Sequence, residues 1–174
     1  MTKSSFAPLF TATSSALRAA PEAAVVTVRA QSQQKAGLRS DVQVRTFDIP
    51  VDEPPTLGGL DSAPSPVEYA LAALATCQEI TYRLHADALG IPLDNVAVTV
   101  EGDIDLRGFF GVDPSVRPGF TSIRGVVRLD SPAPVAELER LRDHVNAHCP
   151  VLDLIASPTP VTFELATPAG VEVA

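Results

Sequence analysis

Two cysteines and three histidines carry most of the reactive chemistry in this chain of 174 residues. Cys77 lies in ALATCQEI and Cys149 in AHCPV. A cysteine in apolar surroundings packs as a small hydrophobe, and burial raises its pKa and makes it inert. A reactive thiol therefore needs a cation close by. Thr76 and Gln78 can only hydrogen-bond and Arg83 lies nearly two helical turns away, so any activating charge must come from distant chain or a partner subunit. The pair is open to two readings: unrelated core residues, or an attacking thiol and its resolving partner. Their spacing says nothing about contact. His144, His148 and Cys149 set two imidazoles an i,i+4 step apart beside a thiol, a zinc-like pattern with no evident fourth ligand, so no metal is expected. Histidines at a helix C-terminus are also favoured by the dipole.

The element that must position Cys77 is SPVEYALAALATCQEITYRLHADALG, Ser65–Gly90. Ser65 suits the N-cap, Pro66 the first helical position, and Glu68 the far half of a capping box. Gly90 suits a left-handed stop and Pro92 forbids continuation. This predicts a helix about 35–40 Å long. ALAALATC is apolar or small on every face, so a core helix is expected, with alanines that let other backbones approach.

The remaining elements follow in order. Phe6–Ala20 is a weak helix candidate within an N-terminal extension, residues 1–22. Val25–Ala30 (VVTVRA) and Val42–Ile49 (VQVRTFDI) read as a β-hairpin with Gly37 in its connection. Pro50–Pro64 is a long Pro- and Gly-rich loop, of the kind that is functional or wraps a neighbour; its Gly58-Gly59 is turn chemistry. Leu93–Asp105 and Thr121–Leu129 form a second antiparallel pair, joined by a flap, Leu106–Phe120. Phe109, Phe110 and Phe120 exceed what a turn requires and suit either tip packing or a lid over an apolar substrate. Asp103 and Asp105 share a strand face and point to solvent rather than to calcium. Ser131 is the expected cap of a second helix, Pro134–Ala147, which Cys149-Pro150 ends. Pro160–Ala166 closes the chain as a last strand. Hairpins rather than crossovers give an α+β single domain over residues 1–174.

A net charge of −8 argues against nucleic acid or an anionic membrane surface as partner. Two cysteines are too few for a secreted disulfide framework. No apolar leader and no membrane span is evident, so the expected location is cytoplasmic.

PSPVEYALAALATC on a long helix, EGDIDLRGFFGVDPSVRPGF in a hairpin, and HCPV after the second helix together resemble the OsmC/Ohr family. These are osmotically inducible protein C and the organic hydroperoxide resistance proteins. The likeness runs from about Val25 to Leu165. It implies an OsmC-like fold and an intertwined homodimer, with central helices packed between sheets and sites at the subunit interface. It implies a thiol peroxidase for organic hydroperoxides, with Cys77 peroxidatic and Cys149 resolving, no bound cofactor, and an external dithiol reductant such as a dihydrolipoyl protein. The peroxide-reducing branch carries a glutamate directly after the proline opening the helix, paired with an arginine from the N-terminal hairpin. Here Val67 holds that place and Glu68 follows, rotated by about 100°, so Glu68 is either the catalytic carboxylate or the capping residue. Arg39 is the expected arginine, with Arg29 and Lys35 as rivals. A non-catalytic binding or redox-sensing module on the same scaffold is the alternative function.

Overall fold

A computed structural model describes residues 5–167 and the strand backbone at 170–173; residues 1–4 of the extension lie outside the described residues. Its organising element is α2, Pro66–Leu89. Glu68 Oε2 accepts hydrogen bonds from the Ser65 N–H (2.7 Å) and the Ser65 hydroxyl (2.8 Å), and Gly90 closes the helix at φ 69°. These local signals start and stop the helix where the sequence predicts.

Ahead of it come α1 (Ala7–Ala19) and an antiparallel meander of β1 (Gln31–Gln34), β2 (Ser40–Val44) and β3 (Phe47–Val51). The meander replaces the predicted hairpin. Val25–Ala30 forms no strand, with Val28 90% exposed, because strand pairing begins only at Gln31 opposite Gln43. β-branched residues favour a pleated surface but cannot supply its neighbour. Val42–Ile49 is cut in two at Arg45, which turns left-handed (φ 56°) and sends β3 back along β2.

The segment predicted as a loop, Pro50–Pro64, is organised around one carboxylate. Asp52, fully buried, accepts from the N–H groups of Glu53, Leu60 and Ser62 and from the Ser62 hydroxyl at 2.7 Å. These donors, the Ser62 hydroxyl first, lower its pKa from 3.8 to about 2. Gly59 is required there, since a Cβ would lie 1.8 Å from the Glu53 carbonyl oxygen.

After α2, β4 (Asn95–Ile104) and β5 (Phe120–Asp130) form a two-stranded antiparallel sheet, joined through the single-turn α3 (Leu106–Phe109). α4 (Val135–Asn146) follows. Its N-cap is Pro134, not Ser131; the Ser131 hydroxyl instead donates to the Pro92 carbonyl and accepts from the Ala133 N–H. Cys149-Pro150 does not end this helix but opens another, α5 (Pro150–Ala156), with Cys149 as N-cap and Pro150 in the first turn. The last strand begins at Glu164 rather than Pro160, and β6 (Glu164–Thr167) pairs with β7 (Gly170–Val173).

Tyr82 and Ala86 of α2, Leu93, and Leu141 and Val145 of α4 form the core, with Val96, Val127 and Leu129 of the sheet packed on it. Arg83 pins α2 to the chain entering β4 by donating to the Leu93 (2.5 Å) and Asp94 (3.3 Å) carbonyls. Tyr69 does the same for β3 through the Pro50 carbonyl, at 2.7 Å. Within one chain α2 is not buried all round. Leu74, Gln78, Thr81, Tyr82 and Ala86 face inward, while Ala70, Ala73 and Ile80 lie exposed.

Candidate active site

Leu141 and Val145 fix one face of α4 against Tyr82 and Ala86. Cys149 follows Val145 by four residues and meets α2 about two turns before Ala86, beside Cys77. The two sulfurs lie 3.4 Å apart, with the Cys149 thiol donating to the Cys77 sulfur; both are free thiols. Cys149 is 1% exposed and Cys77 half-buried. Sulfurs at this separation need to approach by little more than an ångström to bond.

Burial is the first influence on the Cys77 thiol and raises its pKa. The Val151 backbone N–H, in the first turn of α5, acts next and lowers it. The adjacent Cys149 raises it again, and Thr81 lowers it. Thr81 also donates to the Cys77 carbonyl at 2.7 Å. Among the described residues no lysine or arginine of the same chain figures among these influences. The sequence does not disclose the Val151 donor, because Cys-Pro after a helical run carries a helix-stop signal. The same dipeptide is also a cap followed by a first-turn proline, the start signal of α5.

Each remaining predicted site residue has a definite place. Glu68 is engaged by Ser65 in the capping box, which holds its carboxyl below the usual carboxylate range. Arg39 donates to the Ser62 hydroxyl oxygen (3.2 Å) and to Asp41 (3.5 Å). Ser62 in turn donates to Asp52, so Arg39 buttresses the 52–62 loop and makes no contact with Cys77 within the chain. Phe109 and Phe110 meet edge to face at 5.1 Å and are exposed, while the Phe120 ring lies over Gly102 of the neighbouring strand. None of the three rings is brought to the thiols. His144 and His148 stack on each other at 4.2 Å and keep company with His85, whereas Cys149 turns to Cys77. Among the described residues no group of three ligand-type side chains is arranged to hold a metal ion. None of the described helices is long and apolar enough to cross a membrane.

The model of the OsmC-like protein family matches residues 59–164, which span α2 to the start of β6 and include both thiols. Solved structures of similar fold include an OsmC-like protein from Mycoplasma pneumoniae (TM-score 0.65, 20% identity, covering 76% of this chain and 89% of that one). An organic hydroperoxide resistance protein OsmC from Legionella pneumophila has a TM-score of 0.60 at 22% identity, covering 75% and 90%. A putative organic hydroperoxide resistance protein from Vibrio cholerae, with captopril bound in one of its active sites, has a TM-score of 0.56 at 16% identity, covering 75% and 86%. At these identities the likeness is one of fold. No curated protein sequence matches significantly.

Proposed function

This chain belongs to the OsmC-like protein family, and on that premise we propose that it reduces organic hydroperoxides through its two cysteines. The observation that carries the reading is the 3.4 Å separation of the Cys77 and Cys149 sulfurs, from residues 72 positions apart. The Cys77 thiolate attacks one peroxide oxygen and breaks the O–O bond. The other oxygen leaves as alkoxide and takes a proton to become the alcohol, while Cys77 becomes a sulfenic acid. The Cys149 thiolate then attacks the Cys77 sulfur; water leaves with the sulfenic oxygen, and a disulfide forms. An external dithiol, of which a dihydrolipoyl protein is the type we favour, returns two electrons and two protons.

A half-buried thiol with a raised pKa is a poor nucleophile at neutral pH. In this reading the charge comes from a second copy: the active form is a homodimer, and Arg39 reaches the thiol across the subunit interface, with Glu68 as its companion. Phe109, Phe110 and Phe120 would then wall the peroxide's apolar group. The expected site of action is the cytoplasm. That no lysine or arginine among the described residues of the single chain acts on Cys77 favours one other reading, a redox-sensing or binding module that reacts once and does not turn over.

Treatment with one equivalent of cumene hydroperoxide tests the chemistry. Both thiols should titrate away and the intact mass should fall by two hydrogens, with cumyl alcohol released and activity restored by dihydrolipoamide. A sulfinic acid on Cys77 with Cys149 untouched would remove the resolving role. Disulfide formation without repeated turnover would favour the sensor.

A further inference from the structure

The three histidines of the chain, apart in sequence, converge on one cavity of about 410 Å³ between α1, α2 and α4. Ser14, Ser15 and Arg18 of α1 line it together with His85 of α2, His144 of α4 and His148 in the joint that follows α4. Phe10 closes the apolar side, its ring edge-on to His85 at 5.1 Å. Among the described residues no aspartate or glutamate lines the cavity. The acids that flank the histidines in sequence are engaged elsewhere: Asp87 accepts the Phe6 N–H at 2.7 Å, and Asp143 is paired with Arg142 at 2.8 Å. Arg18, exposed at the rim, is paired with no described carboxylate. In a chain of net charge −8, this gathers an arginine, hydroxyls and imidazoles with no acid among the described lining residues.

We propose that this cavity is a binding site for an oxyanion, the phosphate or carboxylate group of a small organic molecule, held by Arg18, the α1 hydroxyls and the three imidazoles. Arginine and hydroxyl donors supply the hydrogen bonds that such oxygens accept. The cavity is larger than one such group, and Phe10 offers the attached organic part an apolar wall.

The hydrogen bonds among the imidazoles determine how binding responds to pH. His148 Nδ1 lies 2.7 Å from the His144 carbonyl oxygen, which can only accept, so Nδ1 carries the hydrogen and neutral His148 has a bare Nε2. His85 Nδ1 and His144 Nε2 are 2.8 Å apart and share one hydrogen. Whichever ring donates, one outward nitrogen of that pair carries a hydrogen and the other does not. These neutral rings therefore offer an anion a single outward N–H, and each proton added to His85 or His144 supplies another. Burial first, then the neighbouring imidazoles, hold His85 and His144 below the ordinary histidine pKa, so they stand neutral at pH 7 while the cavity is empty. A bound anion favours their charged forms, so binding takes up protons and tightens as pH falls, by up to about tenfold per pH unit for each proton gained.

Isothermal titration of the full chain with sodium sulfate at pH 7.5 and 6.0, with sodium acetate as a parallel arm, tests this. Both probes keep their charge over that range. Sulfate should bind several-fold to tenfold or more tightly at the lower pH, with proton uptake seen as a buffer-dependent heat. Stronger binding of sulfate than of acetate assigns a phosphate-type ligand, and the reverse a carboxylate. Arg18→Gln should weaken binding about tenfold at both pH values, and His144→Gln should flatten the pH dependence. Arg18 is exposed and His144 is half-buried beside the cavity, and circular dichroism should show the fold intact in both variants. No binding of either anion at millimolar concentration would overturn the proposal, as would affinity that is indifferent to Arg18 or that falls with pH. The cavity does not include the thiols, so these outcomes are independent of peroxide reduction.

Discussion

At the scale of single residues, the open question is how Cys77 becomes a thiolate. Burial pushes its pKa up, and the Val151 N–H and Thr81 offset this only in part. Assigning the missing charge to Arg39 predicts that Arg39→Ala shifts the pH midpoint of Cys77 alkylation upward, measured with Cys149→Ser so that one thiol reports. Arg39 also buttresses Asp52 through Ser62, so a loop effect could imitate a charge effect. Ser62→Ala separates them: it breaks the relay but leaves the guanidinium, and should leave the alkylation midpoint where it was. An unchanged midpoint in Arg39→Ala would remove Arg39 from the site. The juxtaposition of the thiols was implied by the family resemblance and not legible in their spacing, since 71 intervening residues fix no distance. Nor was the cluster of imidazoles. His144 and His148 announced themselves by i,i+4 spacing, but His85 joins them only through the packing of α2 on α4.

At the scale of elements, the loop after β3 behaves as a folded unit because one carboxylate gathers its amides. Its charge dependence has a definite sign. The Asp52 pKa is lower in the folded chain than in the unfolded one, so its contribution is complete above about pH 4 and is lost as pH falls toward 2. Hydrogen exchange of the Leu60 and Ser62 amides should therefore accelerate between pH 4 and 2, after correction for intrinsic rates, while amides of α2 do not follow. Asp52→Asn should show the accelerated rates already at pH 6. The same elements show what the sequence could and could not disclose. α2 was legible from end to end because Ser65, Pro66, Glu68 and Gly90 act on their own neighbours. The first sheet was misplaced because a strand depends on its partner: VVTVRA has the composition for pairing and no neighbour, while QSQQ lacks the composition and has one. α5 was missed because a proline that stops one helix also begins another.

At the scale of the molecule, the single chain is incompletely covered. It exposes 12678 Å², against about 8,100 Å² expected for a folded monomer of this mass. Part of the excess is the face of α2 that bears Ala70, Ala73 and Ile80, the last 60% exposed. A second copy packing there is the arrangement we propose for the dimer. Ala73→Phe discriminates. On an exposed face it should be near neutral, whereas at a helix crossing it should overpack and cost about 1–3 kcal/mol or more. Sedimentation should show a dimer for the parent chain at micromolar concentration and a shift toward monomer for the variant. A stable, folded monomer of the parent chain would contradict the proposed dimer.

The meeting of α2 with the α4–α5 joint also bears on how long the protein survives heat. Joining the two sulfurs would close a covalent ring of just over 70 residues, and a cross-link of that span removes disorder from the denatured chain worth about 4 kcal/mol. Because the sulfurs already lie side by side, little native distortion is needed to gain this. The oxidised protein should therefore melt several degrees above the reduced one, by calorimetry with and without dithiothreitol. A chain that has just met an oxidant would then be the form that best resists unfolding, and each reduction would return it to its more fragile state.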